Sequence, residues 1–462
     1  MTPTILWFRQ DLRLADNPAL HAATTTGPVL PVYILDDAAA GPHAHGGAQR
    51  WWLHHALAAL QASLRARGLE LLLLQGNAVT LLADLAARTG ARTIHAARLY
   101  EPWARARDAS LAAALATTGR SLTLHSGALL HEPHRIRTGQ GNPYAVYTPF
   151  SRAIFALGEP APPLPIPALT AAPAQPGLDL PALALLPTRH WADAFPKHWT
   201  PGEAGAATRL ARFGTAELAG YDTQRNLPGL THGTSGLSPH LRFGEISPRQ
   251  VWHAARAGGA AGPHTFLKEI LWREFAHHLL WHRPEMPEAP LQKTFENFPW
   301  QPNPRFLRAW QRGETGYPII DAGMRQLWAT GWMHNRVRMI TASFLVKHLL
   351  QPWQDGEAWF WDTLVDGDLA ANSASWQWVA GCGADAAPYF RIFNPVLQGE
   401  KFDADGAYTR AWVPEVAALP AKFLHQPWAA PRPPQGYPPP IIPHAEGRAR
   451  ALAAYAALKQ AA

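Results

Sequence analysis

From the N-terminus to about position 150, short apolar runs alternate with longer segments in which Ala, Leu and Arg recur at helical spacing. The runs at 4–8, 29–35, 69–74, 93–97 and 122–125 read as strands, and 49–66 and 78–87 read as helices. Strands alternating with helical segments predict a doubly wound α/β domain with a parallel sheet. The turn after the first strand, Phe8-Arg9-Gln10-Asp11-Leu12-Arg13, lacks the G-x-G-x-x-G of a dinucleotide fold. Nine prolines between 159 and 187 then exclude a helix or a central strand and mark a connector. From about 203 to 424 strand patterns stop, and 265–281, 322–328, 336–350 and 357–365 have helical periodicity. A second Pro-rich stretch, 427–443, leads into an Ala-rich terminal helix ending near 458. The expected organisation is an α/β domain over 1–130, a Pro-rich connector over 131–202 and a mainly α-helical domain over 203–462, without internal repeats.

Composition narrows the class. At 462 residues, 47% hydrophobic and 16% charged, the chain is globular, and Cys382, its one cysteine, excludes a disulfide framework or a thiolate-cluster metal site. Arg9, Asp11 and Arg13 stand where a signal peptide would need its apolar stretch, and no run approaches the ~18 apolar residues of a membrane span. A cytoplasmic location without a membrane partner is expected. A net charge of +7 favours an anionic partner such as nucleic acid. Of 20 tryptophans, 14 lie beyond position 250. A heavy aromatic core, base stacking, flavin packing and electron transfer would each use them, and composition does not choose.

Four stretches combine residue types that packing alone would not select. Gly233-Thr234-Ser235-Gly236-Leu237-Ser238-Pro239 sets hydroxyls and glycines before a helical region, which suits either a phosphate cradle or an ordinary N-cap and turn. Glu269 and Trp272, three apart, share a helix face in Glu269-Ile270-Leu271-Trp272-Arg273-Glu274-Phe275, while Arg273 points elsewhere. A carboxyl beside an indole suits a planar polar ligand, and equally an amphipathic helix with a solvated ion pair. Gly331-Trp332-Met333-His334-Asn335-Arg336-Val337-Arg338-Met339 is an unusual set for a core. Asp366-Gly367-Asp368-Leu369-Ala370-Ala371-Asn372 lacks the spaced oxygens and terminal Glu of a calcium loop, and the 22 histidines show no zinc spacing, so no metal is expected.

These stretches, with Thr315-Gly316-Tyr317-Pro318, Arg391-Ile392-Phe393-Asn394-Pro395 and the opening Trp7-Phe8-Arg9 with Asp11-Leu12-Arg13, resemble the DNA photolyase/cryptochrome family. The resemblance runs to Gly436-Tyr437-Pro438, essentially the whole chain, and is closest to the microbial class I cyclobutane pyrimidine dimer photolyases. It implies a light-dependent DNA-repair lyase: excited, reduced anionic FAD donates an electron to a flipped-out dimer, the cyclobutane bonds break and the electron returns. The implied flavin contacts are Tyr221, Thr234, Ser235, Gly236, Leu237, Ser238, Arg273, Arg338, Asp366, Gly367, Asp368 and Asn372. Arg338 would pair with Asp366 beside the isoalloxazine, and Asn372 would face its reactive nitrogen.

By the same resemblance Trp272 and Trp378 flank the dimer, Glu269 bonds its carbonyl edge, Asn335 and Met339 contact dimer or adenine, and Arg225 and Gln398 assist at the DNA. Trp376, Trp353 and Trp300 match an electron-transfer series that re-reduces oxidised flavin. An antenna chromophore is also implied. Tyr100-Glu101-Pro102-Trp103 departs from the folate-binding pattern and points to 8-hydroxy-5-deazaflavin or a flavin, with Arg9, Asp36, Arg50, Glu101 and Arg242 as contacts. The expected partner is UV-damaged DNA, met by a monomer. The alternative is a cryptochrome-type blue-light photoreceptor. Asn rather than Asp at 372, and a chain that ends soon after Tyr437-Pro438, favour repair.

Overall fold

The computed structural model describes residues 2–258, 263–385 and 391–461. The chain divides into two compact units. One comprises 1–218 with 235–284, the other 219–234 with 285–462.

The first unit is built on a five-stranded parallel sheet, β1 (Thr4–Phe8), β2 (Val29–Leu35), β3 (Leu72–Gln75), β4 (Thr93–Ala97) and β5 (Ser121–His125), in the order β3-β2-β1-β4-β5. The predicted doubly wound domain is therefore present, and its registers, such as Leu6 opposite Pro31 and His95, are all parallel. β1 and β2 are buried at every position, whereas the edge strand β5 has no fully buried position, which is why the central strands read so clearly. Ala78–Thr89 packs on the sheet through Leu82 and Leu85, and Gly47–Arg65 buries a stripe of Trp52, Ala56, Leu60 and Leu64 in the same unit. The helix Pro263–His282 belongs to this unit. Its Glu274 carboxylate accepts the Leu130 and His131 amides at 3.0 and 3.2 Å, and burial lifts its pKa to about 7.

The second unit is helical, and among its described residues there is no strand. Trp310, Ile320, Leu345, Trp353, Phe360 and Trp376 are among the residues of its core. Two motif stretches meet structurally here. The Asp321 carboxylate accepts the Thr315 amide at 2.7 Å and the Gly316 amide at 3.0 Å, and takes the Tyr437 hydroxyl as a further donor. Gly316 has φ +80°, and a Cβ there would lie 2.3 Å from the Pro439 carbonyl oxygen, so glycine is required. The expected helix at 336–350 is α-helical over Asn335–Ser343 and continues as a wider turn over Phe344–His348. Among the described residues no helix is long and apolar enough to cross a membrane.

Candidate functional site

In the second unit, Gly331 ends one helix at φ +68°, and His334 caps the next by accepting the Arg336 amide. That helix presents Arg338, whose Nη2 meets Asp366 Oδ2 at 2.8 Å while its Nε donates to the Met333 carbonyl at 2.7 Å. The expected pair is therefore formed. The Asp366 side chain is 3% exposed, and its second oxygen, Oδ1, is buried without a hydrogen-bond partner among the described residues. A buried acceptor next to a guanidinium is suited to a planar heterocycle that brings an N–H donor, as an isoalloxazine does.

Burial and the nearby guanidiniums of Arg338, Arg336 and Arg225 hold His334 neutral, with a pKa of about 3. This gathers Arg225 with the 335–343 helix and with Arg336 of the same motif, which also bonds Asn226 at 2.8 Å. Asn335 is exposed and Met339 half-buried on the same helix; Gln398 is half-buried on Pro395–Phe402. Asp368 caps the helix Leu369–Ala380 through the Ala371 amide, a structural task, and Gly367 precedes it. Asn372 is buried, its Nδ2 donating to the Glu357 carbonyl at 3.0 Å. Trp378 is half-buried, with Nε1 donating to the Asp385 carbonyl. Tyr221 is buried under the Arg225 guanidinium.

The Glu357 carboxyl accepts the Ser373 hydroxyl, and burial pushes its pKa up from 4.5 to about 8. Its folded-state pKa exceeds the unfolded one, so its contribution to stability is full below pH 4.5 and is lost as pH rises through 8. Melting temperatures of Glu357→Gln, taken across pH 4.5–8, should therefore decline less steeply than those of the parent. Equal slopes would mean that Glu357 is ionised in the folded protein throughout.

Trp300, Trp353 and Trp376 are not in mutual ring contact among the described residues. Trp376 touches Phe360 and Trp310, and Trp300 touches Phe298. Their burial nevertheless grades outward, Trp376 and Trp353 at 2% exposure and Trp300 half-buried.

In the first unit the hydroxyl loop precedes the short helix Ser238–Phe243. Gly236 has φ +61°, and a Cβ there would meet the Arg209 guanidinium at 2.4 Å. Arg209 is thus a cation beside the loop that no sequence pattern marked. Ser235 Oγ accepts the Leu237 amide, Leu237 is buried and Ser238 exposed. Thr234, the last residue of its segment in the other unit, is half-buried. Arg273 donates to the Ala128 carbonyl at 2.7 Å. Glu269 is half-buried and Trp272 37% exposed on the same helix.

Three antenna candidates follow strand ends, Arg9 after β1, Asp36 after β2 and Glu101 after β4. Ligands of open α/β sheets bind at such carboxyl ends, where strand order reverses. The structure also engages them internally. Arg9 binds both Asp108 oxygens at 2.7 Å, Asp36 accepts the Ala39 and Ala78 amides, and Glu101 accepts from Gln10 Nε2. Arg50 pairs with Asp37 at 2.6 Å, and Arg242 is buried beside the Phe243 ring. The Nε atoms of Arg9 and Arg107 are buried donors without hydrogen-bond partners among the described residues, which fits a ligand carrying acceptors.

Residues 4–169 match the family described as DNA photolyase, and 266–457 match the FAD binding domain of DNA photolyase. A deoxyribodipyrimidine photo-lyase of Agrobacterium fabrum is 52% identical, across 99% of this chain and 98% of that one. The chain belongs to the DNA photolyase family. A crystal structure of a bacterial class III photolyase from Agrobacterium tumefaciens superposes with a TM-score of 0.96 at 51% identity, covering 100% of this chain and 98% of its own. That relative carries a class III label, so the resemblance to class I is not what this match supports. An archaeal photolyase from Sulfolobus tokodaii, described with two FAD molecules, superposes with a TM-score of 0.87 at 28% identity over 98% of this chain and 100% of that one.

Proposed function

We propose that the chain is a deoxyribodipyrimidine photo-lyase that binds UV-damaged DNA and splits cyclobutane pyrimidine dimers in light. The observation that carries this reading is the 52% identity, over 99% of the chain, to a protein of that name. Reduced FAD, when bound, supplies the light-driven electron that the dimer needs. Arg338 and Asp366, paired at 2.8 Å, would place opposite charges beside the flavin ring, and Asn372, whose amide nitrogen donates to the Glu357 carbonyl, would face the ring's reactive nitrogen. Thr234, Ser235, Gly236, Leu237 and Ser238, supported by Arg273, hold the pyrophosphate. By the family resemblance Trp272 and Trp378 would flank the flipped dimer, Glu269 would hydrogen-bond its carbonyl edge, Asn335 and Met339 would contact dimer or adenine, and Arg225 and Gln398 would assist at the DNA.

The enzyme acts as a cytoplasmic monomer. A second chromophore, 8-hydroxy-5-deazaflavin or a flavin, is held at the strand ends by Arg9, Asp36, Arg50, Glu101 and Arg242. The two-flavin archaeal relative and the buried donors of Arg9 and Arg107 support that reading.

The test is direct. Chemically reduced holoprotein should remove the dimer from a defined thymine-dimer oligonucleotide under blue light and not in darkness. Binding should weaken steeply with salt, through phosphate contacts, while preference for the lesion persists. A flavin-loaded protein that leaves the dimer intact and binds damaged and undamaged duplex equally would be a photoreceptor instead.

A further inference from the structure

Tyr147 opens the helix Tyr147–Ala156, and Trp272 lies in Pro263–His282. Their rings are stacked face to face, centroids 3.6 Å apart and 5° from parallel. The Tyr147 hydroxyl donates at 2.7 Å to the carbonyl of Lys268, one turn before Trp272 on the helix that carries the indole. Phe275 stands edge-on to both rings, 5.9 Å from Tyr147 and 6.0 Å from Trp272. Tyr147 is buried at 7% exposure while Trp272 retains 37%.

One face of the indole is thus covered by a phenol ring pinned at its far end, and the indole surface that remains is open. A tryptophan standing alone on a helix surface samples several rotamers, and a ligand that stacks on it must first immobilise it. Here that ordering is completed on folding.

We propose that Tyr147 is a positioning residue for lesion recognition, holding Trp272 flat and in register before DNA arrives. The proposal rests on the reading of Trp272 as a platform for the flipped dimer. Intact duplex, held through its phosphates with its bases stacked, gains nothing from an ordered indole, so the benefit falls on the lesion alone.

Holoprotein variants are titrated in darkness with a labelled thymine-dimer duplex and with the same duplex undamaged, bound flavin and melting temperature being recorded for each. Tyr147→Leu should weaken lesion binding about threefold to tenfold and leave undamaged binding unchanged. Tyr147→Phe, which keeps the ring, should restore most of the loss. In a Trp272→Leu background Tyr147→Leu should have no further effect, because the two act as one unit. Should Tyr147→Leu fail to fold, Tyr147→Met fills the space without a flat ring and carries the same expectation. Lesion affinity at parent level in either folded variant, additive losses in the double variant, or equal losses on both duplexes would overturn the proposal. If Trp272→Leu itself binds the lesion normally, the platform reading falls and the proposal with it.

Discussion

Arg338→Met is expected to purify without its flavin. The Arg338–Asp366 pair is closed at 2.8 Å, with the carboxylate side chain 3% exposed. Removing the cation strands a buried negative charge, and breaking such pairs from one side costs about 3–5 kcal/mol. Applied to the bound state, that is a loss of flavin affinity of about two to four orders of magnitude. Arg338 also holds the Met333 carbonyl, so a fault in the turn could mimic the result. The double variant Arg338→Met/Asp366→Leu separates the two, since an apolar replacement of both partners leaves no stranded charge and should keep the fold. It should melt near the parent temperature and still lack the flavin absorbance. Stoichiometric FAD in purified Arg338→Met would remove this pair from the cofactor site.

The central sheet is legible in the sequence because its strands are buried on both faces, which leaves an apolar run with no alternation to misread. The limits of β1, β2 and β4 match the expected runs residue for residue. The third strand, expected at 69–74, forms at Leu72–Gln75, because Leu69 and Leu71 are buried without joining the ladder. The helix Pro102–Ala116 is absent from the expected elements, although Pro at its first position and the Ala-rich run after it mark a helix start. Periodicity has no means of showing that 235–284 would cluster with the sheet unit. That grouping depends on interactions such as those of Glu274 with the Leu130 and His131 amides, made across more than a hundred residues.

The candidate site is legible where several residue types stand close in sequence. Arg338 and Asp366 emerge from two short motifs and are paired. Residues that act across distance leave no local mark. Arg209 comes beside Gly236 and Tyr147 lies against Trp272, each from a segment that no motif marks. Asp321 is similar, since nothing around it in sequence suggests that it ties Thr315-Gly316 to Tyr437. Family motifs mark positions, and some of those positions serve the fold. Asp368 with its helix cap is one and Gly316 against Pro439 another.

Trp376→Phe should lose photoreduction of oxidised flavin and keep dimer repair once the flavin is reduced chemically. The family resemblance sets Trp376 first in the electron-transfer series, and its burial, with that of Trp353, gives way to half-exposure at Trp300. Phenylalanine keeps an aromatic ring but is far harder to oxidise than indole, so the first hop is removed. Repair does not use that hop, because its electron begins on the reduced cofactor and returns there.

The packing cost must be separated from the redox effect. Trp376 is closely clamped, with a Cβ at Gly356 falling 2.1 Å from its ring, and Phe360 and Trp310 edge-on at 5.0 and 6.2 Å. The smaller ring leaves part of that space empty and should lower stability by about 1–3 kcal/mol. Trp310→Phe supplies the control. Trp310 is fully buried, touches Trp376 and lies outside the expected series, so its replacement should reduce the melting temperature comparably and leave photoreduction intact. Loss of photoreduction in both variants, in proportion to their melting temperatures, would assign the effect to packing. Loss in Trp376→Phe alone, with repair preserved, assigns it to the indole.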